Sequence, residues 1–329
     1  MESNGRPLMS VVVVTPDRYA TVRKTVRLLA SQNVSGSLEL VIVAPSVEGL
    51  GLDASELCKF LRHEIVEVGP VSSTARARAE GVRRSSAEVV ALVEDHAFPA
   101  PGWAEALIER HGDGERWAAV GPVMLNANPR SRTSWANLLI EYAPWLDPSE
   151  AGEREHLPGH NGSYRRDLLL EYGDRLEAML DAESVLHWDL RARGHRLFLE
   201  PKARTMHQNF SAPLPSLPLR FNGGRLFAAS RARAWPAWRR AAFALAAPLI
   251  PVVRLARIAR RMRGPARPRH LPAGVLPALC AGLAFDGAGE MIGYALGPGR
   301  SMAKLSDMEF HRERYLAERD RRVASSSEE

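Results

Sequence analysis

Cysteine is scarce: Cys58 and Cys280 are the only two in 329 residues, both set in apolar stretches. That excludes a disulfide framework and a CxxC-type metal site, and it suits a reducing cytosol. Long apolar runs are missing as well. The N-terminal MESNGRPLMS has no apolar leader core before the strand-like residues 11–14, so no secretory signal is expected, and the sequon Asn161-Gly162-Ser163 is not expected to carry glycan. In the C-terminal third the apolar core of residues 241–253 counts 13 residues and is broken by Pro248 and Pro251. A spanning helix needs about 20. Acids are absent from residues 220–270, which hold 13 arginines, so the net charge of +6 less these 13 leaves −7 for the remainder. The basic balance belongs to one region.

What is present supports a folded protein. At 45% apolar the chain can bury a substantial core, and its length fits one large domain or a domain with an appendage. Residues 10–14 (SVVVV) and 38–43 (LELVIV) are short β-branched runs, and between them Val22, Val26 and Leu29 recur at helical spacing. The pattern continues with a strand over 64–68, an Ala/Arg-rich helix over 74–84 and a strand over 88–93. A short helix (104–111) and an apolar strand (117–125) follow, then a Trp-bearing segment to Trp145. Strands alternating with helices predict an α/β fold with a largely parallel, doubly wound sheet, whose ligands bind beyond the carboxyl ends of the strands. Glu94, Asp95 and His96 stand at such an end. Further on, a helix is expected from about Asp181 to Arg193-Gly194, then strand-like pieces at 196–199 and 203–207.

The motifs VVVVTP, ARARAEG, EDH, PAPGW, GHNGSY, DAESVLHWDLRARG and KARTMH occur in that order between residues 9 and 208. In order and spacing they resemble the family 2 glycosyltransferases of the GT-A fold, with the best markers at 75–103 and 159–207. The resemblance implies a Rossmann-like sheet flanked by helices, a nucleotide-sugar donor, a divalent metal (Mn²⁺ or Mg²⁺) and an inverting displacement. Alignment on Trp103 places Glu94 at the first aspartate of the family's Asp-x-Asp and His96 at the last, a metal ligand in the family; His207 matches a histidine that can face metal or diphosphate. Glu183 aligns with the general base, and Asp181 is the other acid near that helix start. The acid that usually follows the second strand and contacts the base is replaced by Ala44 or Pro45.

These residue types suit the chemistry. Transfer from a nucleotide sugar needs a stabilised leaving diphosphate, a base for the acceptor hydroxyl and positioning of both partners. The metal set expected is His96 with Glu94 or Asp95 assisting, and His207 facing metal or diphosphate, the imidazoles shifting preference toward Mn²⁺. Thr15, Pro16 and Ala44 follow the first two strands, where the fold places the nucleotide. Arg76 and Arg78 can meet phosphate through planar guanidinium forks, with Glu94 and Asp95 beside them. His160 and Asn161 offer hydrogen bonds to sugar hydroxyls from a Gly-rich loop. The plainer readings stand beside these: a solvated strand-end histidine, helix-start acids, a solvated arginine face and a polar turn.

By sequence the chain divides into a catalytic domain (1–208), a Pro-rich linker (209–219), an Arg-rich helical region (220–310) and a charged tail (311–329) whose last residues, VASSSEE, read as frayed. Apolar residues beside clustered arginines predict a peripheral or re-entrant unit on an anionic membrane surface, at the cytoplasmic face of the plasma membrane. Val275–Leu296 is apolar but carries Asp286 and Glu290, a poor span in isolation. A soluble helical subdomain is the alternative; no nucleic-acid motif accompanies the arginines. The function expected is sugar transfer to a lipid-linked or envelope glycan acceptor. A silent nucleotide-sugar-binding or membrane scaffold is the rival from another class. A nucleotidyltransferase is disfavoured because VVVVTPDRYA contains no Gly-rich loop.

Overall fold

A computed structural model describes residues 5–264 and 271–325. The chain forms two compact units, residues 1–125 with 149–207 and residues 126–148 with 208–329. The first is α/β and the second is helical.

The α/β unit runs β1 (Met9–Val14), α1 (Tyr19–Ala30), β2 (Leu38–Ala44), β3 (Arg62–Glu67), α2 (Thr74–Arg84), β4 (Val89–Val93), β5 (Ala97–Pro99), α3 (Trp103–His111) and β6 (Ala119–Asn126). After an excursion carrying α4 (Arg132–Tyr142) it resumes with β7 (Gly152–Glu153), β8 (Ser163–Arg165), α5 (Arg166–Leu170), α6 (Leu176–Leu180), α7 (Glu183–Ala192) and β9 (Leu197–His207). The sheet order is β3-β2-β1-β4-β8-β6-β9-β5, with β7 also on β9. The first four strands are parallel, and β8 turns antiparallel to β4 and β6. The GT-A-type α/β class, with helices against a sheet, is as expected above, but the sheet is mixed and not largely parallel, its parallel half being β3-β2-β1-β4.

Local sequence explains the elements. Every residue of β1 and β2 is buried, as befits β-branched runs in the middle of a parallel sheet. Helix α2 opens with Ser73 accepting from the Arg76 amide at 3.1 Å. It also lies unusually close to the sheet: a Cβ on Gly81 would come within 2.4 Å of Val12 Cγ1. The two strand pieces expected at 196–199 and 203–207 are one strand. Its start pairs with β7 and its end with β5, so neither half is left unpaired.

The helical unit contains α4, α8 (Leu217–Arg231), α9 (Ala237–Ala246), α10 (Ile250–Arg263), α11 (Val275–Leu296), α12 (Ser301–Phe310) and α13 (Glu318–Ser325). Two boundaries differ from the sequence reading. Residues 126–148 belong here, because α4 is buried along most of its length and packs on α11, Ile140 filling the space above Gly282. Residues 209–219 are no free linker: Phe210 is buried, the amides of Ser211 and Ala212 both donate to Tyr315 O, and α8 begins at Leu217. The tail is anchored as far as Asp320, whose carboxylate accepts from Asn128 at 3.0 Å. Of the segment read as frayed, residues 326–329 lie outside the described residues.

Candidate active site

Register brings the site together. β4 stops at Val93, the chain turns with Ala97 N–H donating to Glu94 O, and β5 then pairs antiparallel with β9 so that Ala97 faces His207. The end of β9 is thereby set beside the EDH turn, although His207 follows His96 by 111 positions in sequence. On the other side, β8 pairs with β4 and carries the preceding loop with it. Asn161 and Glu94 then exchange two hydrogen bonds, the Glu94 amide to Asn161 Oδ1 (3.2 Å) and Asn161 Nδ2 to Glu94 Oε2 (2.7 Å).

Glu94 is the hub. Its Oε2 lies 3.6 Å from His96 Nε2 and 3.4 Å from His207 Nε2, and its Oε1 lies 3.4 Å from the Arg78 guanidinium and 3.5 Å from His160 Nδ1. The two imidazoles meet edge to face, with centroids 4.8 Å apart. Burial works against the charge on Glu94, but His96, His160 and His207 outweigh it and hold the carboxyl well below the usual range. Donor atoms at about 2.1 Å from one cation stand about 3.0–3.4 Å from each other in octahedral or tetrahedral geometry. The Glu94–His96–His207 cluster, whose ligating atoms all lie within 4.8 Å of one another, is close to that spacing before any contraction. Asp95 completes the arrangement by holding His96 Nδ1 at 2.6 Å, which leaves Nε2 pointing into the cluster. A carboxylate behind a histidine is the usual device for fixing a ligand's tautomer.

Glu183 opens α7, and its carboxylate is in contact with His160 Nε2. His160 therefore bridges Glu94 and Glu183. Burial and Arg78 oppose its protonation, yet Glu183 and Glu94 together raise its pKa to about 9. The effect on Glu183 is reciprocal: burial opposes its charge, and His160 more than compensates, so its pKa is lowered. Close approach is possible because residue 159 is glycine. A Cβ there would meet Glu183 Cβ at 2.5 Å and the Tyr164 hydroxyl at 2.8 Å. Gly159→Ala is thus expected to destabilise the fold by about 1–3 kcal/mol, the usual range for overpacking, and to displace the Glu183 carboxylate. A thermal melt lowered by several degrees checks the first part, and an unchanged melt would contradict it.

Two residues that the sequence reading passed over support this loop. The Leu157 amide faces His187 Nδ1 at 3.5 Å, His187 Nε2 lies 3.0 Å from the Tyr164 hydroxyl, and that hydroxyl donates to Gly159 O at 3.1 Å. The pattern assigns the tautomer, with His187 Nε2–H donating to the tyrosine oxygen. Burial lowers the His187 pKa to about 3, so the imidazole stays neutral. The only signal in the sequence was its place one turn after Glu183.

Not every expected residue joins the cluster. Arg78 does, but Arg76 is exposed on α2. Thr15, Pro16 and Ala44 sit at the carboxyl ends of β1 and β2, with the Thr15 hydroxyl donating to Arg18 O at 2.9 Å and Ala44 fully buried. An acid does stand beside Ala44, one strand over: Glu67 pairs in register with it and accepts from the Val47 amide at 2.9 Å. Asp181 precedes α7 by two residues and is only partly buried.

Residues 10–173, which include β1, β4, the EDH turn and the Gly159–Asn161 loop, match the family model described as glycosyl transferase family 2. The chain carries a family 2 glycosyltransferase domain. A relative of this domain is the glucosyl-dolichyl phosphate glucuronosyltransferase of Haloferax volcanii, 29% identical over 182 residues, covering 50% of this chain. The match takes in 55% of that relative, so the chain spans about half the length of the curated protein it resembles. Among solved structures, the mannosyltransferase PcManGT of Pyrobaculum calidifontis in complex with GDP-Man and Mn²⁺ is 16% identical, with 93% of this chain and 87% of that one covered at a TM-score of 0.48. GalNAc-T7 with UDP, GalNAc and Mn²⁺ is 13% identical, with 69% and 52% covered at a TM-score of 0.46.

Proposed function

We propose that this protein is an inverting glycosyltransferase that moves a sugar from a nucleotide-sugar donor to a lipid-linked or envelope glycan acceptor. The observation that carries the reading is the coupling of two sites by one side chain. A cluster able to hold a divalent cation (Glu94, His96, His207) lies at the carboxyl edge of the sheet, and His160 joins it to a partly buried carboxylate, Glu183.

The donor set fits the metal. Two imidazole nitrogens and one carboxylate suit Mn²⁺ better than Mg²⁺, which prefers an all-oxygen shell. A bound cation would supply neutralisation of the charge that builds on the departing diphosphate. The protein's own groups account for the rest. Arg78, held against Glu94, adds fixed positive charge on the same side. Glu183 accepts the proton of the acceptor hydroxyl as that oxygen bonds to the anomeric carbon; the bond to the diphosphate breaks on the opposite face and takes its electron pair with it. His160 keeps Glu183 ionised until the hydroxyl takes its place. Asn161 and Asp95 act by positioning Glu94 and His96.

The name of the Haloferax relative favours a lipid-phosphate-linked acceptor, and the Arg-rich helical unit favours a membrane location, which we assign to the cytoplasmic face. The test is a screen of UDP-, GDP- and dTDP-sugars for release of nucleoside diphosphate by the full chain with Mn²⁺. Release from one nucleotide class supports the reading. Silence with all of them would move the weight to a non-catalytic scaffold.

A further inference from the structure

One helix of the helical unit, α11, is built inside out with respect to charge. Helix α11 contains two charged side chains, Asp286 and Glu290, and both are buried. They face Arg254 of α10, which contacts the Asp286 carboxylate, lies 3.7 Å from Glu290 and also donates to Ile140 O at 2.9 Å. What α11 exposes instead is Leu276, Phe285, Met291 and Leu296, the last 73% accessible. The neighbouring α9 and α10, with the turn between them, expose Trp238, Leu245, Leu249, Val252 and Val253, and no charged residue occurs between Arg240 and Arg254. A helix on a water-facing surface has the reverse arrangement, with its apolar stripe inward and its charges outward.

Packing between these helices follows the same logic. A Cβ on Gly289 would lie 2.0 Å from Phe221 O, one on Gly293 2.3 Å from Arg225 O, and one on Gly224 of α8 2.2 Å from Asp286 O. α8 and α11 are therefore held backbone to backbone by small residues, the mode that serves where lipid removes the hydrophobic drive for helix association. Arg240 closes the other side by donating to Tyr294 O at 3.0 Å, which keeps its own charge on the protein. Immediately after the charge-free stretch, α10 exposes Arg257, Arg260 and Arg263.

We infer that the exposed apolar faces of α9, α10 and α11 are immersed in the hydrocarbon of one bilayer leaflet, with the arginines at the end of α10 among anionic headgroups. This rests on the membrane location proposed above and deepens it by naming the faces that enter the bilayer, and it is independent of donor binding by the catalytic unit. Lipid is favoured as occupant because the patch is uncharged where acyl chains would lie and cationic, with no acid from 220 to 270, where phosphates would lie.

The experiment is flotation of the full chain with phosphatidylcholine vesicles and with vesicles containing phosphatidylglycerol, at low salt and in 1 M NaCl. Embedding predicts flotation with both that survives 1 M NaCl, because screening removes only the headgroup contribution. The double variant Leu249→Glu, Val252→Glu should lose at least about ten-fold of the floated fraction while keeping helical circular dichroism. Replacing Arg257, Arg260 and Arg263 by Gln should weaken only the binding to anionic vesicles. Complete release of the unmodified chain by salt would overturn embedding in favour of surface charge, whatever the variants do. So would a lipid-free dimer dissociated by the glutamate substitutions, which would make a second copy the occupant.

Discussion

Glu183→Gln is expected to reduce sugar transfer by about 10²–10⁴-fold, the range a positioned general base contributes, while leaving Mn²⁺ and donor binding nearly unchanged. Glutamine keeps the shape of the side chain and its place above Gly159 but cannot take a proton. The loss should fall on kcat and not on the KM for donor, since Glu183 does not touch the metal cluster directly and the proton moves only as the acceptor reacts. Asp181→Asn is the matched control: it changes an acid two residues away and should leave most of the rate. A large loss from Asp181→Asn with little from Glu183→Gln would reverse the assignment of the base. His160 complicates the variant in a known direction, because removing the Glu183 charge removes one of the two carboxylates that raise the His160 pKa.

The second large effect concerns the cation. His207→Ala and His96→Ala should each weaken Mn²⁺ affinity by at least about 100-fold, since even loss of an outer-shell partner commonly costs 10–100-fold. Both residues are nearly buried and close on the same carboxylate oxygen, so no solvent-facing side chain can swing in to replace them. His63→Ala, an exposed position on β3, should have no effect. Electron paramagnetic resonance of free Mn²⁺ against protein concentration reads all three. Equal affinity for the unmodified chain and His207→Ala would remove the far end of β9 from the metal site.

Much of this architecture is legible in the residues. β1 and β2 are short, mostly apolar runs rich in Val and Ile, the pattern of central strands, and the EDH turn announces itself because acids and a histidine abruptly end an apolar strand. The contrast between Arg76 and Arg78 was missed although helix geometry carries it, since both were offered above for phosphate. Two residues apart on a helix stand about 200° apart around its axis, so both could not face one ligand. Other features left no local trace. β5 is three residues long and β8 likewise, too short for periodicity, yet they supply the pairings that bring His207 and Asn161 to Glu94. The excursion of residues 126–148 into the helical unit has no compositional mark, because α4 is as apolar as a helix of the catalytic unit would be. The inward charges of α11 could not be told from its sequence, where Asp286 and Glu290 count against a membrane role until Arg254 is seen to meet them.

The central claim is that Glu94, His96 and His207 hold the cation on which the donor's diphosphate rests. Calorimetric titration of UDP and of GDP into the full chain tests it most directly, with Mn²⁺, with chelator, and with His207→Ala in Mn²⁺. The account predicts that at least one nucleotide binds in Mn²⁺, and that this binding disappears both in chelator and in the variant. Binding that is equally tight in chelator, or equally tight in His207→Ala, would contradict it.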